Sequence, residues 1–403
     1  MKALFTVQPA IGHLHPLVPV AQALEDSGHE VAFCASAGFR PEVEAFGFDY
    51  FDAGIDWVAA DRSTWTPFPT MPAPSDPAFP EFVVTVFADV TTRAIVPDLL
   101  TVAEEWRPDL IVREVMEWGG CLVGALLGIP HASVGGNAYS GVDSPEIRYF
   151  PGNRFFAAAP YARHRAEFGL PPDPELEEPF RYLHLCLMPR RWDRPGLPAP
   201  ANTEYVRHVS VERPGEPLPG WVRELPKRPT VYAALGTIAH AMPGIFELIL
   251  DALRAADVNL ILAVGQDPAA FGPQPPNVHI EPHLPQTQLL PHCDVFISHG
   301  GFNSVKEALS CGVPLVVLPI MSDEPYSAER CAALGIGRAV APEERTPEAI
   351  RDAVRSLLND PSYRARAQEL SAEMHALPGT ERFVELLTGL ARNRAATSAQ
   401  PAT

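Results

Sequence analysis

Apolar β-type runs and helix-period segments alternate along this chain, and they do so twice. The first run, "ALFTVQ" from Ala3, gives way to "PLVPVAQALEDSG", whose apolar spacing is helical, and then to a second apolar run, "HEVAFCAS" from His29. A strand, a helix and a strand in such short compass make a βαβ unit, and repeated units of this kind build a parallel sheet covered by helices. Further strand-like runs at "DLIVREV" and "PHASVGG" flank the helix-like "GGCLVGALLG". The alternation then restarts: "TVYAALG", the helical "PGIFELILDALRAA", "NLILAVG", "NVHIEPHL", "CDVFISH", the helical "NSVKEALSCG" and "PLVVLPI". The expected fold class is α/β, with two doubly wound Rossmann-like domains.

Proline marks where one domain gives way to the next. The chain holds 45 prolines in 403 residues, and they crowd residues 187–230, where regular elements are disfavoured. The expected division is an N-terminal domain over 1–205, a Pro-rich linker over 206–228 and a second domain over 229–376. A last amphipathic helix over 377–393 is expected to pack back on the N-terminal domain. Residues 60–80 lack periodicity and read as a loop, although Trp65, Phe68 and Met71 would be costly to leave in water; the loop is either a linker or a lid over a ligand.

The formal charge of −18 opposes binding to nucleic acid or to an anionic membrane surface. A phosphate ligand would have to be held by local devices rather than by a general basic field. The 6 cysteines are scattered singly, without metal-ligand spacing, and are expected to be reduced and mostly buried. The N-terminal apolar stretch is too short for a signal segment and no run is long enough to span a membrane, so the expected location is the cytoplasm.

One local device stands out. "CDVFIS" ends in His299, Gly300 and Gly301, and a helix begins near Asn303. Amides from Gly301 to Ser304 would open at the carboxyl edge of the sheet, where a helix N-terminus attracts anions. Asn303, Ser304 and His299 add side-chain donors, and Glu307, one turn on, could accept from the two hydroxyls of a ribose. Taken singly, each residue also fits an ordinary tight turn with a capped helix; taken together and in this order they point to a nucleotide-diphosphate site.

The stretch from His299 to Glu324 closely resembles the donor signature of family 1, GT-B glycosyltransferases, HxGxxSxxEAxxxGxPxxxxPxxxDQ. The resemblance implies two domains facing each other across a cleft, the first binding an acceptor and the second a nucleotide-sugar. It implies that His299, Gly300, Gly301, Asn303 and Ser304 bind the diphosphate, Glu307 the ribose, and Asp323 with Glu324 the sugar hydroxyls. "HLPQTQLL" resembles the family's WxPQ segment, so His283 would stack on a uracil or thymine base, with Leu284 and Gln286 beside it. Thr237, in "LGT", would lie near the leaving group. Glu324 departs from the family's glutamine; a carboxylate accepts but cannot donate, which gives weight to a deoxy- or aminosugar.

"IGHLHP" resembles the family's GHxxP motif, which implies that His13 is the base that deprotonates the acceptor hydroxyl. His15 and His29 read as structural. A base histidine needs a carboxylate on its other ring nitrogen, and Glu114 holds the family's acidic position, with Glu117 as the other candidate. No DxD motif is suitably placed, so no metal and no cofactor are expected beyond a dTDP- or UDP-linked sugar as co-substrate.

Aromatic residues of the first domain, Trp65, Phe68, Phe87, Trp118 and Tyr139, are expected to line a pocket for a hydrophobic natural-product acceptor. The implied activity is inverting, metal-independent glycosyl transfer of the antibiotic-tailoring type, by a monomer or homodimer. A nucleotide-sugar 2-epimerase and a catalytically silent auxiliary subunit share the architecture. A nicotinamide dehydrogenase would need GxGxxG after the first strand, and "QPAIGHLHP" lacks it.

Overall fold

The computed structural model describes residues 1–73, 76–136, 158–196, 199–212, 215–236, 242–321 and 323–398. Two compact units divide the chain: Met1–Val209 together with Leu377–Thr403, and Ser210–Ala376.

The first unit is a seven-stranded sheet in the order β3-β2-β1-β4-β5-β6-β7, with every pairing parallel. Its strands are β1 (Lys2–Thr6), β2 (Glu30–Ala35), β3 (Asp49–Asp52), β4 (Leu110–Glu114), β5 (His131–Gly135), β6 (Leu183–Cys186) and β7 (Thr203–Tyr205). Helices cover both faces, so the central strands read as continuous apolar runs. Strand order reverses between β1 and β4, where Thr6 lies beside Arg113 in register. The segments leaving these two strands carry His13 and Glu114 to the same carboxyl edge, the usual ligand position in an open parallel sheet.

The described residues between 60 and 78 are largely loop, with a short 3-10 turn at Arg62–Thr64 capped by Asp61, whose carboxylate accepts from the Ser63 amide at 3.0 Å. A helical run not expected from the sequence follows. It comprises Phe79–Val83, a π turn over Val84–Val90, and the helix Thr91–Trp106.

The second unit holds β8 (Thr230–Ala234), β9 (Asn259–Ala263), β10 (Val278–Glu281), β11 (Val295–Ser298), β12 (Leu315–Val317) and β13 (Gly337–Ala339). They form a parallel sheet in the order β10-β9-β8-β11-β12-β13. Here the order reverses between β8 and β11, with Ala234 beside Ser298.

Most of the stretch expected as a Pro-rich linker, 206–228, falls within the second unit. Leu218 donates its amide to Gln288 Oε1 at 3.0 Å, and the Trp221 ring stacks on His279 with centroids 4.5 Å apart. Proline had removed the periodic signal, but polar and aromatic side chains dock the strap all the same. The helix Thr380–Ser398 belongs to the first unit. Phe383 and Leu387 are buried there, and Arg382 pairs with Glu204 at 3.2 Å.

Candidate active site

The short helix Ile11–Leu14 turns the chain just after β1 and carries His13. His13 Nδ1 lies 3.1 Å from Glu114 Oε1; His13 keeps 27% of its side chain exposed and Glu114 only 4%. The other carboxylate oxygen, Glu114 Oε2, accepts the Met116 amide at 2.7 Å, so Glu114 is fixed at one end and aimed at the imidazole with the other. Its extra methylene relative to aspartate does not prevent the contact. Glu117 serves elsewhere: it accepts the amides of Gly119 at 2.6 Å and Gly120 at 2.9 Å and the Thr6 hydroxyl, capping the helix Gly119–Leu127. Its full burial raises its pKa.

Phe87 lies in the π turn, its ring nearly parallel to His13 at a centroid separation of 6.3 Å. It also contacts Trp57 edge-on at 5.7 Å, and Trp57 meets Trp65 at 5.5 Å and Phe68 at 5.0 Å. Trp65, Phe68 and Phe87 thus form one aromatic cluster leading to the imidazole. Trp118 does not join it. At 1% exposure it packs in the core against Tyr161 with the Arg113 guanidinium over its ring, which corrects its expected acceptor role. The indole faces inward. Tyr139 lies outside the described residues.

On the second unit, Gly300 has φ +98 and Gly301 caps the helix Phe302–Ser310. The His299 ring fits against two glycines: a Cβ on Gly301 would come 2.4 Å from its Nε2 and one on Gly236 2.8 Å. Burial lowers the His299 pKa to about 4, so the buried ring is neutral at physiological pH. Two amides at this mouth are engaged within the chain, Gly300 with Ser298 Oγ at 3.1 Å and Phe302 with Asp323 Oδ2 at 3.1 Å. Thr237 lies outside the described residues.

Glu324 corrects an expectation. It is buried, and its Oε2 accepts the backbone amides of Ile320 and, at 2.8 Å, Met321. The side chain secures its own loop, so its charge gives no basis for choosing a sugar. Burial raises its pKa well above the ordinary carboxylate value.

The expected base-side residues meet the strap. His283 Nε2 pairs with Glu216 Oε2 at 2.8 Å and remains well exposed. Leu284 is a core side chain. Gln288 donates to Glu212 and to the Glu216 carbonyl, the latter at 3.0 Å, tying the strap to the helix Gln286–Leu289. Glu212 and Glu216 are not marked by the sequence, because nothing in a Pro-rich stretch announces which sheet it will dock on.

Gln286 Nε2 donates to Glu307 Oε2 at 2.6 Å and reaches Ser304 Oγ at 3.4 Å, which brings three expected donor-site residues together. Burial raises the Glu307 pKa to about 7, partly offset by the Gln286 hydrogen bond. A carboxyl raised above its unfolded value stabilises the fold at low pH, and that contribution is lost as pH climbs through 7. Ribose hydroxyls would donate to the ionised form, so nucleotide affinity is expected to rise between pH 5.5 and 7 and level off above. The nucleotide's terminal phosphate titrates in the same range. The diagnostic is therefore calorimetric titration of both wild type and Glu307→Gln: the variant should show the shallower slope, and identical slopes would remove the assignment.

Two doubly wound sheets, one presenting a histidine beside a carboxylate and the other a glycine-turned helix mouth, make up the GT-B fold. Residues 247–390 match the C-terminal domain of erythromycin biosynthesis protein CIII-like proteins. The chain is 28% identical to 4'-demethylrebeccamycin synthase of Lentzea aerocolonigenes, over 96% of this chain and 99% of that one. It is 26% identical to 3-alpha-mycarosylerythronolide B desosaminyl transferase of Saccharopolyspora erythraea, covering 98% and 99%. Among solved structures, the Streptomyces sp. SF2575 glycosyltransferase SsfS6, complexed with thymidine diphosphate, superposes with a TM-score of 0.74 at 26% identity, covering 96% and 99%. Over nearly its whole length the chain is similar to antibiotic-tailoring glycosyltransferases of the GT-B fold.

Proposed function

We propose that this enzyme moves a sugar, with inversion, from a dTDP- or UDP-linked donor to a hydroxyl of a hydrophobic natural-product aglycone. The observation that carries this reading is the 3.1 Å contact from His13 Nδ1 to a Glu114 anchored by the Met116 amide. With Nδ1 on the side of the carboxylate, Nε2 is the nitrogen left to act as the base. Nε2 takes the hydroxyl proton, the oxygen attacks the anomeric carbon opposite the diphosphate, and the bond to the diphosphate breaks with its electron pair leaving on the phosphate. Glu114 stabilises the imidazolium that forms.

The departing charge is carried by the mouth of the helix Phe302–Ser310 and by neutral donors such as His299, without a metal or other cofactor in this reading. The aromatic cluster from Trp65 to Phe87 favours an apolar aglycone. The thymidine diphosphate complex of SsfS6 favours the dTDP form of the donor. A deoxy- or aminosugar stays in the proposal on the strength of the desosaminyl-transferring relative, and no longer on Glu324.

A panel of nucleotides tests the donor site. At about 100 times its Kd a ligand adds roughly 2.7 kcal/mol to stability, enough to move a melting midpoint by a few degrees. We expect dTDP and UDP to raise the midpoint and NAD to leave it unchanged. Failure of both diphosphates would overturn the reading, and consumption of the donor sugar to its 2-epimer without any acceptor would replace it with epimerisation.

A further inference from the structure

The residue that ends the first strand's apolar run, Gln8, has no part in the chemistry described so far. It is 4% exposed, and its side-chain amide spans three pieces of backbone or side chain that are distant in sequence. Nε2 lies 3.2 Å from the Phe87 carbonyl, 3.4 Å from Thr91 Oγ1 and 3.2 Å from the Met116 carbonyl. The first two belong to the π turn and the helix after it. The third is the residue whose own amide holds Glu114. Phe87 and Glu114 also both lie against the His13 ring. A π turn widens the helix and leaves its carbonyls poorly served by the helix itself, and such turns recur at functional sites. One primary amide, with two hydrogens to give, serves both segments.

We infer that Gln8 is a positioning residue for transfer: by tying the Met116 loop to the Phe87 turn it sets Glu114 against His13. This rests on the reading of His13 as the base. Gln8 touches no reacting atom. Its effect passes through Glu114, and that distinguishes it from a residue that only supports the core, because interaction through a shared partner makes two substitutions non-additive.

The test is a double-mutant cycle on the intact chain. Gln8→Glu keeps the size and removes the donors; Gln8→Met removes all polarity. Each is expected to lower kcat about tenfold to a hundredfold per folded molecule, with the donor KM unchanged. In a Glu114→Gln background the same changes should cost less than threefold. Equal losses in both backgrounds would overturn the inference, as would a loss confined to KM, or failure of both variants to fold, since Gln8 would then act through the fold alone. His13→Ala is measured alongside. If it keeps full turnover, the base reading has failed; if it is inactive while the cycle is additive, only the role of Gln8 has failed.

Discussion

Turnover in His13→Ala is expected to fall by about 10²- to 10⁴-fold, the usual contribution of a positioned general base. The expectation follows from local construction. His13 sits on a four-residue helix directly after β1, and Glu114 ends the neighbouring strand, so the sheet register itself brings base and carboxylate together. A hydroxyl is a poor nucleophile until its proton moves, and alanine offers nothing to receive it. Donor affinity should be unchanged, because the proposed diphosphate and ribose contacts belong to the second unit. Single-turnover formation of the glycoside, followed together with calorimetric nucleotide binding, separates the two quantities. Full turnover with a hydroxyl acceptor would end the base assignment, whereas a parallel loss of nucleotide binding would show that the substitution had disturbed more than the base.

Legibility in the sequence followed burial only in part, since β6 is buried throughout yet was not read, while part-exposed β10 was. β1, β4, β8 and β11 are central and covered on both faces, so they read as apolar runs, and the residues leaving them could be placed at one edge of each sheet. The peripheral strands β3, β7 and β13 were illegible because they are only three or four residues long and partly exposed, as in "TEY" and "GRA". His13 and Gly300 were legible through spacing, since turn geometry is written in residue order. Side-chain direction was not. Trp118 turns into the core and Glu324 into its own loop, and both outcomes are decided by neighbours distant in sequence, Tyr161 for the one and the backbone of 320–321 for the other. Gln8 illustrates the same limit from the other side: its partners lie 79 to 108 residues away, and no local pattern marks it.

The second large effect is expected at Gly300. Its φ of +98 is a conformation an L-residue adopts only at a cost of about 1–2 kcal/mol. Space is also lacking: a Cβ there would stand 2.7 Å from Val317 Cγ1 on β12 and 3.2 Å from the Glu324 carbonyl. Neither neighbour can yield easily, one being in the sheet and the other backbone at the start of a helix. Overpacking of this kind adds about 1–3 kcal/mol. Gly300→Ala should therefore lower the denaturation midpoint of the second unit, and relief of the clash would move the loop that delivers His299 and Gly301, weakening dTDP or UDP binding at least tenfold. Gly272 supplies the control. It has φ +64 in the same unit with nothing within 4 Å of its Cβ position, so Gly272→Ala bears only the backbone cost and should leave nucleotide binding intact. Denaturation curves and nucleotide titrations of the pair distinguish packing at the cradle from backbone strain in general. Wild-type nucleotide affinity in Gly300→Ala would mean that the turn after β11 does not govern the donor site.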